Sequence, residues 1–253
     1  MVKIGLISDV HSNWEALSVA LDTLKSEEEV DELFFSGDLI GYGPDPNRCV
    51  GAVREASAVA VKGNHDAGLV GDLDIGFFNQ WGIDAINWTR DNITDSHFRF
   101  IADLPETRFF SDKRISLLHG SSVDPLTKYI LRKVDAYNSY QATDDDFFLQ
   151  AYGHTHMPAV YEIEKDDVNE QRMFNPGEFE LDGNRHYLVN PGSVGQPRDG
   201  NWKTSFAVLD VGEDGLPERV RFFREEYDAE GTRGKISDAG LPKELGDRLL
   251  TGR

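Results

Sequence analysis

Short apolar runs that give out at a glycine or serine, each followed by a polar residue, punctuate the first half of the chain. The first covers residues 1–7, reads as a strand, and runs through Ser8 into Asp9-Val10-His11. Trp14, Leu17, Leu21 and Leu24 then recur at helical spacing, which predicts an amphipathic helix over 13–25. A charged turn at 27–29 leads to a second buried strand, 32–36, that stops at Gly37-Asp38. A helix over 46–56 and a third strand over 58–62 follow, the latter stopping at Gly63-Asn64-His65-Asp66. The order is βαβαβ, which predicts an α/β fold whose ligand edge lies at the carboxyl ends of the strands.

Helical spacing returns over 79–91, carrying Trp81, Ile83, Ile86 and Trp88, and over 97–103. These predict a small helical insert, 67–107, covering one end of the sheet, with the tryptophans serving packing. Short strands at 108–111 and 114–119 come next, then a helix at 133–143. The stretch 144–152, apolar over 147–152, gives out at Gly153-His154-Thr155-His156. The last third turns β-rich, with strands at 159–164, 171–174, 186–190, 205–211 and 220–224. Asp166-Asp167 and Asp182-Gly183-Asn184 mark two of the joining turns. A charged tail, 227–253, holds one or two surface helices. Without repeats, low-complexity tracts or Pro/Gly linkers, residues 1–253 read as one domain of packed sheets with helices outside.

Composition narrows the setting. No apolar run reaches the ~20 residues that span a bilayer, and the first seven residues are too few for a signal peptide. One cysteine, Cys49, permits no internal disulfide and fits a reducing cytoplasm. Its place in the 46–56 helix makes it a small buried hydrophobe. Forty-five acids face 26 bases, a net charge of -19 that repels nucleic-acid backbones and anionic membranes. No basic stripe with interleaved aromatics is present, which argues against long nucleic acid as a substrate. Short oligonucleotides and cyclic nucleotides stay open.

Ligand-type residues gather at the strand ends: Asp9 and His11, Asp38, Asn64 and His65, His119, His154 and His156. Five of the seven histidines fall there, whereas chance would scatter them over turns and surfaces. Any one pair has a bland explanation, such as a helix cap or a turn. Their shared location does not. Imidazoles, carboxylates and one amide suit Mn²⁺, Fe or Zn²⁺, with Co²⁺ or Ni²⁺ as substitutes, and are too nitrogen-rich for a Ca²⁺ or Mg²⁺ cage. So many donors exceed one tetrahedral ion but would serve two ions ~3.5–4 Å apart that share a carboxylate, an arrangement suited to displacement at phosphorus.

In that order, Asp9-Val10-His11, Gly37-Asp38, Gly63-Asn64-His65-Asp66, His119-Gly120 and Gly153-His154-Thr155-His156 resemble the motif set of calcineurin-like metallophosphoesterases. Gly41-Tyr42-Gly43-Pro44-Asp45 and the 190–198 turn, Asn190 to Arg198, are similar to the small prokaryotic phosphodiesterase branch. The resemblance implies a four-layer α/β/β/α sandwich of two mixed sheets with a dimetal centre at their top. It implies that Asp9, His11 and His156 hold one ion, that Asn64, His119 and His154 hold the other, and that Asp38 bridges them. His65 is left free as a donor to the leaving group. With Mn²⁺ as the expected metal, a bridging hydroxide would attack a phosphodiester or small phosphomonoester in line, without a covalent enzyme intermediate.

Two departures bear on the substrate. Protein phosphatases and diadenosine tetraphosphatases of this family carry Asp-Arg-Gly at the bridging aspartate and Glu after Asn-His. Here Asp38 precedes Leu39, and the later position is Asp66. The phosphate-clamping arginine is therefore missing from its usual place, which argues against protein phosphatase activity. Arg198, on a late turn, is a candidate replacement; the bland reading is a surface arginine paired with one of many acids. His97 and His186 have no motif context. The shape of the pocket is expected to depend on the 67–107 insert and on the loops around Tyr42, Tyr129 and Arg198. The alternative to a hydrolase is a metal-binding scaffold that lost catalysis, against which stands the retention of every ligand position.

The acidity suggests adaptation to a salty interior, where counter-ions suppress self-repulsion within a Debye length of ~3 Å at 1 M. The melting temperature should then rise between low and multimolar KCl; a flat or falling profile would reject this reading.

Overall fold

The computed structural model describes residues 2–143 and 146–253. The predicted strand start at Met1 and the Asp144-Asp145 part of the 144–152 stretch lie outside the described residues. β1 (Val2–Ile7) is buried from Ile4 onward: Ile4 and Leu6 face the second sheet, while Ile7 joins the core under the helices. Burial on both faces is why the strand reads as a continuous apolar run rather than an alternation. Asn13 caps α1 (Trp14–Asp22) by accepting the Ala16 N–H at 3.2 Å. The helix then widens into one π-type turn, Thr23–Glu27.

β2 (Glu32–Phe35), α2 (Pro46–Glu55) and β3 (Val59–Ala60) complete the βαβαβ unit. The third strand is shorter than the predicted 58–62. Its apolar Val61 instead continues as a loop whose N–H still bonds Phe35 O, and the chain enters α3 (Asn64–Val70) directly. A 3₁₀ turn, Ile75–Phe77, with α4 (Gln80–Asn92) and α5 (Asp95–Ala102), makes up the rest of the 67–107 region. β4 (Thr107–Phe110), β5 (Ile115–Leu118), α6 (Lys133–Gln141), β6 (Leu149–Ala151) and β7 (Ala159–Glu164) follow. β8 (Asp167–Arg172) lies N-terminal to the predicted 171–174 strand, because the Lys165-Asp166 turn pairs the two strands tightly. β9 (Gly177–Glu180) was not predicted: it is a polar edge strand with only Phe179 packed inward. β10 (His186–Asn190), β11 (Thr204–Val211) and β12 (Pro217–Glu225) lead to α7 (Ala229–Asp238) and α8 (Lys243–Leu249).

Two six-stranded sheets result, ordered β3-β2-β1-β11-β12-β9 and β4-β5-β6-β10-β7-β8. Both are mixed: β1, β2 and β3 run parallel, as do β5, β6 and β10, and the remaining pairings are antiparallel. β11 shows how the layers are made. Phe206 and Val208 face the helices, and Ala207, Leu209 and Val211 face the other sheet. One core lies between the first sheet and α1, α2, α7 and α8, a second between the sheets, and a third between the second sheet and α6. This is the α/β/β/α sandwich. The tail helices are not surface helices as expected: Ile236, Leu245 and Leu249 are buried in the first core.

Smaller expectations compare directly. Cys49 is buried in α2. Trp14, Trp88 and Trp202 pack against the first core, whereas Trp81 is 38% exposed. His97 ties α5 to α2 through Asn47 at 3.0 Å, and His186 opens β10 beside Phe147 O. Among the described residues, no helix is long and apolar enough to cross a membrane. Leu209 is fully buried between the sheets, so Leu209→Ala should cost about 2–5 kcal/mol in urea unfolding.

Candidate dimetal site

Every predicted ligand sits just past the carboxyl end of a parallel strand. Asp9 and His11 follow β1, Asp38 follows β2, Asn64 and His65 open α3 after β3, His119 follows β5, and His154 and His156 follow β6. Turning so sharply out of a strand is demanding. Asp9, His11, Asp38, His154 and His156 all adopt φ between 49° and 66°. Residues other than glycine rarely enter that region, and strain of this kind gathers at functional sites. The motif glycines serve close approach. A Cβ on Gly63 would overlap the Asp38 backbone, and one on Gly153 would overlap Ser8 and stand 2.7 Å from Asp9 Oδ2.

The donors form two groups that share one carboxylate. Asp9, His11, Asp38 and His156 converge in the first, and Asp38, His119 and His154 in the second. His11 Nε2 stands 3.1 Å from His156 Nε2 and 3.6 Å from Asp38 Oδ2, and His156 Nε2 is 3.3 Å from Asp9 Oδ1. On the other side His119 Nε2 lies 3.1 Å from His154 Nδ1, 3.0 Å from Asn64 Oδ1 and 3.4 Å from the same Asp38 Oδ2. Atoms bound 2.0–2.1 Å from one cation stand roughly 2.8–3.4 Å apart across right or tetrahedral angles, which these spacings approach.

The outward-facing nitrogens identify the inward-facing ones as lone pairs. His11 Nδ1 faces Ile40 O at 3.2 Å, His119 Nδ1 faces Ser36 O at 2.8 Å, and His156 Nδ1 faces Gln196 O at 2.5 Å. His154 uses the opposite nitrogen, Nε2, toward Thr127 O at 3.1 Å. A carbonyl only accepts, so each outer nitrogen carries the proton and each inner one is left as an acceptor. Two lone pairs facing each other at 3.1 Å, as between His11 and His156, repel unless a positive charge lies between them. The donor set therefore fits a pair of divalent cations.

Electrostatics agree in direction for His11, His154 and His156, whereas Asp38 draws a second proton to His119 when no cation lies between them. Burial pushes the His11 and His156 imidazoles well below their ordinary range and takes His154 to about 3, keeping their ring nitrogens available as donors. Burial takes Asp9 up to about 7. Burial alone would also raise Asp38, but His119, His65 and His11 outweigh it and hold the carboxylate charged. Burial would lower His119, yet Asp38 holds it up to about 9. The centre of the site thus draws positive charge to Asp38.

His65 lies outside both groups. Its backbone N–H donates to Asp38 Oδ1 at 2.8 Å, while its ring, buried among His11, Tyr42 and Phe78, has no hydrogen bond among the described residues. The donors open on a cleft of about 610 Å³. Asp38, Asn64, His65, His154, His156 and Arg198 line one part of it, and Leu73, Phe77, Phe78 and Tyr129 another. The 67–107 region and the Tyr42, Tyr129 and Arg198 loops thus do shape the pocket. Arg198 makes no ion pair among the described residues; its neighbour Asp199 is committed to Arg224.

Several supports escaped the sequence reading. Asp66 accepts from the Leu39, Ile40 and Gly63 N–H groups, fixing the loop after Asp38. Asn190 donates to Gly153 O and Thr155 Oγ1, and Ser193 Oγ donates to Asp9 O. Tyr129 stacks on His154 at 3.8 Å between centroids. Asp66 stood in its motif, Tyr129 in a loop expected to shape the pocket, and Asn190 and Ser193 in the Asn190 to Arg198 turn, but the supporting contacts of each were not legible.

Comparison with known proteins agrees with this geometry. Residues 2–214 match the calcineurin-like phosphoesterase superfamily domain, and the chain belongs to that superfamily. An uncharacterized protein of Methanocaldococcus jannaschii is 36% identical over 259 residues, with both chains covered fully. The crystal structure of a metallophosphoesterase from Sphaerobacter thermophilus is 33% identical and covers 100% of this chain and 99% of its own, with a TM-score of 0.84. The symmetrical bis(5′-nucleosyl)-tetraphosphatase of Actinobacillus succinogenes is 32% identical over 90 residues, 35% of this chain and 30% of that one.

Because Gly153 holds Asp9 by close approach, Gly153→Ala should displace that carboxylate. The purified variant should carry less metal than wild type at equal Mn²⁺ supply, measured by mass spectrometry, while keeping its far-UV circular dichroism.

Proposed function

We propose that this protein is a metal-dependent phosphodiesterase for small organic phosphate esters, working in the cytoplasm. The observation that carries the reading is Asp38 Oδ2, shared between two convergent donor groups. Asp9, His11 and His156 would hold one divalent cation, Asn64, His119 and His154 the other, with Asp38 between them and Mn²⁺ the favoured metal. Such a pair supplies a nucleophile from water near neutral pH and stabilises charge on phosphoryl oxygens.

The chain's own groups do the rest. Asp38 keeps its Oδ1 on the His65 N–H, so the residue that bridges also positions the free histidine. His65 lines the cleft with both ring nitrogens uncommitted; burial takes its imidazole down to about 4, so it would meet the departing oxygen as a neutral N–H donor. Arg198, with its Nε buried and unpartnered, supports the reading of a phosphate clamp. The apolar wall of Leu73, Phe77, Phe78 and Tyr129 supports an organic arm on the phosphate, and a diester offers two such arms where a monoester offers one. The cleft's volume favours a small molecule, and the free, buried Cys49 thiol supports the cytoplasmic setting.

The test is to strip the protein, reload it with Mn²⁺, Ni²⁺, Co²⁺, Mg²⁺ or Zn²⁺, and assay bis(p-nitrophenyl) phosphate and p-nitrophenyl phosphate. Diester turnover is expected, lowered on the order of 10²–10⁴-fold in His65→Ala and lost in Asp38→Asn. Metal binding without turnover of any ester would instead leave a regulatory scaffold.

A further inference from the structure

The C-terminal helices lie beyond the residues matched to the superfamily, yet α8 comes against Tyr42, one of the residues that line the cleft. α8 is held to α7 by Arg233 and Asp247 at 2.9 Å. The chain after it touches the loop that bears Arg198, where the Gly200 N–H donates to Gly252 O at 2.9 Å. This docking brings the Arg248 guanidinium to 5.9 Å from the centre of the Tyr42 ring. Arg198 stands 6.0 Å from the same ring, and Tyr42 lines the cleft. Arg248 is also 6.0 Å from Trp81, just past the Phe77-Phe78-Asn79 segment of the cleft wall.

Two half-buried guanidiniums over one ring are unusual in a chain with 45 acids and 26 bases. Elsewhere the arginines that are not exposed find carboxylates: Arg219 and Arg221 share Asp210, Arg224 takes Asp199, and Arg185 takes Glu162. Among the described residues neither Arg198 nor Arg248 pairs with a side-chain carboxylate. Arg248 spends its Nε–H on the Arg253 main-chain oxygen at 2.7 Å, and no partner takes its terminal nitrogens. Arg198 Nε is buried with no acceptor among the described residues, and its Nη2 donates only to the neutral oxygens of Tyr42 and Gln196 there. Burial, and then repulsion from Arg198, holds Arg248 below its ordinary pKa, although a guanidinium stays charged. Like charges half-buried side by side are costly, and an anion that joins them relieves that cost.

We propose that Arg248, set beside Arg198 over Tyr42, forms a second anion subsite that selects phosphate esters bearing a further anionic group, a carboxylate or a second phosphate. This rests on reading the cleft as the phosphoester site. Arg198 grips the reacting phosphate, and Arg248 reads the charge at the end of one organic arm. The subsite makes substrate choice a property of the tail rather than of the ligand motifs.

Calorimetry separates this subsite from catalysis. Propylphosphonate, 3-phosphonopropionate and propane-1,3-diphosphonate share one headgroup and differ only in the arm, which ends in methyl, carboxylate or phosphonate. Metal-loaded wild type should bind the charged arms roughly tenfold more tightly than the methyl arm, the worth of one charge-assisted contact. Whichever charged arm gains more identifies the second group. In Arg248→Gln the three affinities should converge, and Arg248→Lys should restore part of the gap. Propylphosphonate binding reports whether each variant is folded. Equal affinities in wild type, or an undiminished gap in Arg248→Gln, would overturn the subsite and leave Arg248 as a tether for the tail. A gap that closes in Arg248→Gln while no diester is hydrolysed would keep the subsite and reject the phosphodiesterase reading.

Discussion

A buried carboxylate that must not be left alone governs this structure. Asp38 has almost no contact with solvent, and burying an uncompensated carboxylate costs several kcal/mol. Its neighbours answer that cost from both sheets: His11 and His65 from the first, His119 from the second. The second sheet also delivers His154, whose N–H donates to Asp9 at 3.1 Å. The Val194 N–H reaches Ser8 O at 3.0 Å, and the His119 ring reaches Ser36 O. The polar end of the sandwich is therefore closed by the same groups that make the site. The apolar space between the sheets fixes their spacing, and Asp38 fixes where their edges meet.

This explains which features were legible in the sequence. Parallel strands buried on both faces read as apolar runs, and they stop where the backbone must turn into the site, so glycine and ligand appear together. Gly63 and Gly153 are glycine because Asp38 and Ser8 occupy the space a side chain would need. The ligand set was visible for that reason. Asp66 was not, because its role is to collect N–H groups from a loop 27 residues earlier, a relation no local pattern carries. β9 was missed because an exposed edge strand needs little apolar patterning. The tail read as surface because Ile236, Leu245 and Leu249 are sparse among charged neighbours; only their docking on α1 and the Arg198 loop buries them.

The strained turns fit the same constraint. Five donors hold left-handed backbone angles that cost of order 1–3 kcal/mol each in an isolated chain. The surrounding hydrogen bonds over-determine them: Asn190 holds the Gly153-His154-Thr155 turn, Ser193 holds Asp9, and Asp66 holds the loop after Asp38. Strain kept this way pre-sets the donors, so a cation entering the site need not reorganise the protein.

The charge of the whole molecule then sets what can enter. A net charge of -19 repels anionic substrates at a distance, but at physiological salt that repulsion fades beyond ~8 Å. Inside the cleft the balance inverts, because the donor groups draw cations and Arg198 has no carboxylate to neutralise it. A small ester passes through the screened exterior and meets positive charge only at contact. A long polyanion would lie against the acidic surface along its whole length, gaining at one point and losing at many. On the proposed function, selectivity for small phosphates over polymers would follow from where the few unpaired positive groups among the described residues are placed, without any feature that recognises a polymer in order to reject it.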